Sequence, residues 1–170
     1  MTLPTASTMD LIVLASALAL VWAAVGDAMT YRIPNFLPIV LVVGFGALAW
    51  FEPPAFLIGG LLTGLGVFGV GALLFSRRLM GGGDVKLLAA TSLWCGPEQL
   101  TPFALVISVT AVALALLMMS PLGRLMPAPP ARLTTWSGEM VSAARKPMPL
   151  GVAVAVGGLW VLSQYAMLPR

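Results

Sequence analysis

Two acidic residues, Asp27 and Asp84, stand in surroundings that suit chemistry. The chain has no histidine and a single cysteine, Cys95. That removes disulfide frameworks, Ser-His and Cys-His nucleophile pairs, and His or Cys metal centres, so no metal and no cofactor is expected. Chemistry is left to carboxylates, hydroxyls and lysine. Asp27 opens the stretch Asp27-Ala28-Met29-Thr30-Tyr31-Arg32-Ile33-Pro34-Asn35, in which Pro34 bars a helix from continuing and Asn35 can cap the next one. This spells a tight turn with an acid at its start. Asp84 follows Gly81-Gly82-Gly83 and precedes Val85-Lys86, and three residues without side chains let a substrate backbone approach the acid closely. Were the two carboxyls brought together, they could not both ionise cheaply and would hold one proton between them. The charged one then deprotonates a water and the protonated one polarises a carbonyl. Taken singly, each acid has a plainer role open to it: Asp27 as a surface partner of Arg32, Asp84 as the cap of a helix start.

The elements that must position these acids are set by composition. Of 170 residues, 59% are hydrophobic and 9% charged, too little polar surface to dissolve a globule in water. The expected fold class is therefore all-α, a polytopic integral membrane protein forming one domain over residues 1–170. Apolar runs cover residues 11–26, 36–50, 55–75, 85–94, 102–119 and 150–166, giving about six transmembrane helices. The fourth run is short, and it either extends from Asp84 to Leu100 or sits half-buried. No Lys or Arg precedes the first run, which reads as a permanent helix rather than a cleaved signal.

Charge placement gives the orientation. With six spans, the connections after runs one, three and five carry Arg32; Arg77, Arg78 and Lys86; and Arg124, Arg132, Arg145 and Lys146, while the opposite side holds only Arg170. Basic residues in short loops stay cytoplasmic, so both termini are expected on the outer side. Asp10, Glu52 and Glu98 then fall outside as solvated interfacial charge. Asp27, Asp84 and Glu139 fall inside, and of these only Asp27 and Asp84 abut helix ends. The scattered basic residues form no stripe for nucleic acid and suit anionic lipids of the bilayer surface instead.

Residues 121–149 form the longest connection, a Pro-rich cytoplasmic loop in which 131–144 could lie on the membrane as a short helix or remain plain loop. Gly60 and Gly64, with Gly66, Gly69 and Gly71, suit close helix packing. Lys86 is two positions past Asp84, does not share its helix face, and is expected against lipid. Trp50 and Trp94, near the outer ends of their runs, suit an interfacial belt.

Together the two acidic stretches resemble the prepilin peptidases, or type IV leader peptidases, of the GxGD aspartyl protease group. Asp27-x4-Arg32-Ile33-Pro34-Asn35 looks like that family's first aspartate motif and Gly81-Gly82-Gly83-Asp84-Val85-Lys86-Leu87 like its second. Pro149-Leu150-Gly151-Val152-Ala153 is similar to the Pro-x-Gly start of its last helix. The resemblance implies an aspartic endopeptidase of the bacterial inner membrane, its site facing the cytoplasm, with Asp27 and Asp84 as the catalytic pair and Gly81, Gly82 and Gly83 as the substrate-binding approach. It implies a prepilin or pseudopilin precursor as substrate, with a short basic leader ahead of a long apolar helix. Larger members carry a cysteine-bearing insertion after their first helix and methylate the product. Only nine residues lie between Gly26 and Phe36 here, so the chain resembles the compact members associated with Flp-type pili.

Two other classes use the same acids differently. A small transporter or ion-relay subunit would need polar groups at mid-membrane depth, where Ser16, Thr63, Ser108 and Thr110 are the main ones available. A structural assembly subunit would tolerate Asn at both positions.

Overall fold

The structure is a computed structural model, and it describes residues 6–121 and 148–167. Most of the Pro-rich loop lies outside the described residues, including 131–144, Glu139 and the basic residues Arg124, Arg132, Arg145 and Lys146, as does Arg170. Among the described residues the secondary structure is helical throughout: α1 (Ala6–Thr30), α2 (Phe36–Ala49), α3 (Pro54–Ser76), α4 (Gly82–Met119) and α5 (Leu150–Met167).

Local chemistry explains most of the boundaries. Pro54 starts α3, a position where its missing N–H has no helical partner in any case. Tyr31 (φ 53°) and Arg78 (φ 57°) adopt the left-handed conformation that stops α1 and α3. The first helix therefore runs past Asp27, and the expected turn comes a full helical turn later. Inside α4, Gly96 takes φ 57° and ψ 179°, and Pro97 restarts the helix after it. Segments 82–95 and 97–119 are thus two helices joined at a break. The fourth apolar run is lengthened back to Gly82, and the fifth begins at Pro97 rather than Pro102.

Among the described residues, three helices are long and apolar enough to cross a membrane, over Thr8–Thr30, Pro54–Ser76 and Gly82–Met119; α2 and α5 are shorter apolar helices. The 14 residues of α2 span about 21 Å, against an apolar bilayer core of about 30 Å. Lipid as the surrounding solvent is written on α1, whose outer stripe of Leu11, Leu14, Leu18, Val21, Trp22, Val25 and Met29 is exposed and wholly apolar.

The opposite stripe of α1, Val13, Ser16, Leu20, Ala23 and Asp27, is buried. It packs against α2 and α5, while α4 packs against α2, α3 and α5 and forms the centre of the bundle. Small residues set the closest approaches. A Cβ at Gly60 would meet the Phe45 ring and stand 2.5 Å from the Leu93 carbonyl oxygen, and one at Gly64 or Gly71 would strike Leu93 or Val85. These three glycines seat α3 on α4, whereas Gly66 and Gly69 face open space.

Trp94 belongs to the core rather than to an interfacial belt: it is 1% exposed and its indole N–H donates to the Leu41 carbonyl at 3.0 Å. Beside the Gly96 break, the Trp94 carbonyl accepts a hydrogen bond from the Tyr165 hydroxyl of α5 at 2.6 Å. Phe45, Phe56 and Tyr165 close around this point with mainly edge-on ring contacts. Trp50, by contrast, is exposed.

Candidate active site

The two aspartates are carried by helices whose axial register is locked further inside the bundle. Gly158 of α5 sits so close to α4 and α1 that an added Cβ would stand 2.6 Å from Thr91 Cγ2 and 2.7 Å from Leu20 Cδ1. From this three-way contact, Asp27 lies seven residues along α1, Asp84 seven back along α4, and Gly151 seven back along α5. Seven residues are about two turns, or about 10.5 Å. The chain direction of α1 is opposite to that of α4 and α5, so all three residues emerge at the same level on one end of the bundle.

Contacts at that level confirm the convergence. The Ile33 side chain lies between two helix starts: an added Cβ would be 3.5 Å from it at Gly83 and 2.9 Å from its Cδ1 at Gly151. The Gly151 N–H donates to Asp27 Oδ2 at 2.7 Å, while the Val152 N–H turns to the Pro149 carbonyl at 3.3 Å. The Asp84 carboxyl turns back over the Gly81 backbone, and it is near enough to feel the charge of Asp27. Just past the end of α1, burial and then the negative charge of Asp27 push the Tyr31 phenol above its ordinary range.

Asp27 is buried, at 5% exposure, and is aimed at the start of α5, whereas Arg32 is exposed. The plainer reading as a surface ion pair therefore gives way to one in which Asp27 supplies acceptors to another helix. Asp84 is half-buried in the third position of α4, reaching back to the residue before the helix as the acid of a capping box does. It is the Gly81 backbone, at φ −72° and ψ 143°, that occupies the cap position itself.

The glycine run does not adopt conformations reserved for glycine; Gly82 and Gly83 are the first helical residues of α4. What it lacks is bulk. A Cβ at Gly81 would lie 2.8 Å from Asp84 Oδ2, and one at Gly82 would lie 3.2 Å from the Phe75 ring. Gly81 itself is exposed beside the acid.

Lys86 is not simply a lipid-facing cation. Its Nζ donates to Asn35 Oδ1 at 3.1 Å, tying the start of α2 to the first turns of α4. Asn35 makes no side-chain cap on α2, its oxygen being used by Lys86. From this pair a groove of about 470 Å³ runs between α2 and α3, walled by Ile39, Val42, Leu61 and Leu65 and floored by Ala89 and Ala90.

Sequence reasoning gave Gly151 only a motif and Ile33 no role of its own. The signal for Gly151 was present in part: Met148 and Pro149 offer no side-chain oxygen to cap α5, so a cap from elsewhere was required. Among the described residues, no three His, Cys, Asp or Glu side chains gather as a metal site would need. Two carboxyls at adjoining helix ends, that of Asp27 held by a backbone N–H, can exchange a proton with a water or a peptide between them.

Neither a search of curated proteins nor one of solved structures returned a match. A family model does match, over residues 13–117, which is more than half of the chain and takes in Asp27, Ile33 and Asp84. The chain belongs to the type IV leader peptidase family.

Proposed function

We propose that the protein is a membrane aspartyl endopeptidase that removes the short basic leader from prepilin-type precursors at the cytoplasmic face of the bacterial inner membrane. Asp27 and Asp84 act as the catalytic pair, and Gly81, Gly82 and Gly83 form the approach to the scissile bond. The observation that carries this reading is the shared level of the two carboxyls, set by the Leu20, Thr91 and Gly158 contact two turns away. Six spans, counting 82–95 and 97–119 separately, put both termini outside and agree with the basic residues of the connections at the aspartate end.

One carboxyl takes a proton from water, and the resulting hydroxide bonds to the peptide carbonyl carbon. The other carboxyl gives its proton to the carbonyl oxygen. In the second half the first carboxyl returns its proton to the amide nitrogen, the C–N bond breaks, and a hydroxyl proton of the collapsing diol goes back to the second. The pair ends as it began, with one water consumed.

Positive cytoplasmic connections do not attract a basic leader, so affinity has to come from the apolar helix that follows it. The apolar groove between α2 and α3 supplies such contact, and its Asn35 and Lys86 end adjoins the first turn of α4 that bears Asp84. An ion relay draws no support from the mid-helix hydroxyls. Those of Ser16, Thr63, Ser108 and Thr110 each donate to a carbonyl of their own helix, at 2.7 to 2.9 Å.

The test is co-expression with a prepilin-type precursor, read as a leader-dependent mass shift. Asp27→Asn and Asp84→Asn should each abolish cleavage while inserting normally. Normal cleavage by either variant would end the reading.

A further inference from the structure

We infer that Gly151 is a positioning residue, whose N–H and missing side chain together hold the Asp27 carboxyl in its working place. The inference rests on the proposed role of Asp27 and concerns a residue outside the stretch matched by the family model.

The first turn of any helix has N–H groups with no helical acceptor, ordinarily met by a local Ser, Thr, Asp or Asn. Before α5 stand Met148 and Pro149, which have no oxygen in their side chains. The Leu150 and Val152 N–H groups find the Met148 and Pro149 carbonyls, which leaves the Gly151 N–H, and that need is met across the bundle by Asp27, 124 residues away, whose Oδ2 accepts it at 2.7 Å. So short a hydrogen bond is directional. It sets the orientation of the carboxyl where a salt bridge to a mobile arginine would not.

Close approach is possible only because position 151 is glycine. A Cβ there would sit 2.8 Å from Asp27 Oδ2 and 3.0 Å from its Cγ, with Ile33 Cδ1 at 2.9 Å closing the other side. The carboxyl would have to swing away, since the helix cannot retreat without breaking the Gly158 contact two turns below. Gly157 provides an internal standard on the same helix: a Cβ there would be equally tight, 2.8 Å from Ile107 Cγ1, but among core side chains remote from the carboxyls.

The experiment compares Gly151→Ala with Gly157→Ala in the full-length protein, purified in detergent, using a precursor with a single cleavage site. Unfolding midpoint, KM and kcat are measured for each. Positioning predicts similar losses of midpoint in both variants, unchanged KM, and a kcat reduced on the order of 100-fold for Gly151→Ala alone, the usual effect of displacing a reacting group by about 1 Å. A second arm removes the Ile33 contact. If Ile33→Val restores kcat to Gly151→Ala in full, glycine serves only to admit Ile33 and the proposal fails; persistence of the defect supports it. Equal kcat values for the two alanine variants also overturn it. Should Gly151→Ala not accumulate, amide hydrogen exchange at Gly151 in the wild-type protein and in Asp27→Ala takes its place: protection lost in Asp27→Ala supports the proposal, and equal exchange in the two refutes it. Asp27→Asn run in parallel separates the two levels of the argument. Cleavage by that variant sinks the role of Asp27 itself, whereas an inactive Asp27→Asn beside a fully active Gly151→Ala sinks only the positioning.

Discussion

Replacing Asp27 by alanine and by asparagine should separate what the carboxyl does for the fold from what it does for the reaction. Asp27 is 5% exposed and accepts the N–H of Gly151. Alanine strands that donor, and a buried N–H without an acceptor costs about 1–3 kcal/mol. Water admitted to the vacated space recovers part of this, so the expected loss lies toward the lower end, about 1–2 kcal/mol. Asparagine keeps an oxygen with two lone pairs in the same place. It loses the extra strength of a charged acceptor but no longer buries a charge, and these changes oppose each other, leaving about 1 kcal/mol or less. Thermal unfolding in detergent micelles, followed by tryptophan fluorescence with buried Trp94 as reporter, should rank wild type and Asp27→Asn together above Asp27→Ala. Both variants should be inactive. An Asp27→Ala midpoint equal to wild type would show that α5 does not depend on this carboxyl. An Asp27→Asn as unstable as Asp27→Ala would show that charge, not the acceptor geometry, is what α5 requires.

Gly96→Ala should cost about 1–3 kcal/mol although nothing lies within 4 Å of the added Cβ, because φ 57° with ψ 179° is closed to residues with side chains. Gly66→Ala, equally open but within regular helix, should instead stabilise by about 0.5–1 kcal/mol; unfolding midpoints of the two variants check both signs. Tyr165→Phe should destabilise by about 1–2 kcal/mol through the lost bond to the Trp94 carbonyl, and an unchanged unfolding midpoint would mean that water replaces the hydroxyl. Ala89→Phe, which fills the floor of the α2–α3 groove, should raise KM for the precursor several-fold with little change in kcat; an unaltered KM would place the substrate helix elsewhere.

The apolar runs were legible because lipid leaves no choice: a helix that spans it must be apolar nearly all round. That same uniformity hid the phase of each helix. On α1 only the small and polar positions betray the inward face, Ser16, Ala23 and Asp27 at spacings of seven and four, and these did not stand out among so many alanines. Pro34 marked a boundary, but the helix end is set by Tyr31 in a left-handed conformation, which an aromatic residue gives no reason to expect. Trp94 read as interfacial because its apolar run stops at Gly96. The break there folds the end of the run into the core instead of releasing it to the surface. The partners of Lys86 and Gly151 lie 51 and 124 residues away, and no local pattern encodes them. The two acids drew notice because carboxyls are rare in such a chain, while the backbone N–H that holds Asp27 has no side chain to notice.

The long sequence interval between Asp27 and Gly151 also bears on how the molecule is made. During synthesis α1 is inserted first and α5 last of the described helices, with the whole of α2, α3 and α4 between them. Until α5 docks, Asp27 lacks its Gly151 hydrogen-bond donor, however soon α1 and α4 find each other. A partly translated or truncated chain thus carries both acids without the third helix that completes their surroundings. With the two acids in the proposed catalytic role, completion of the bundle and onset of activity would be a single event.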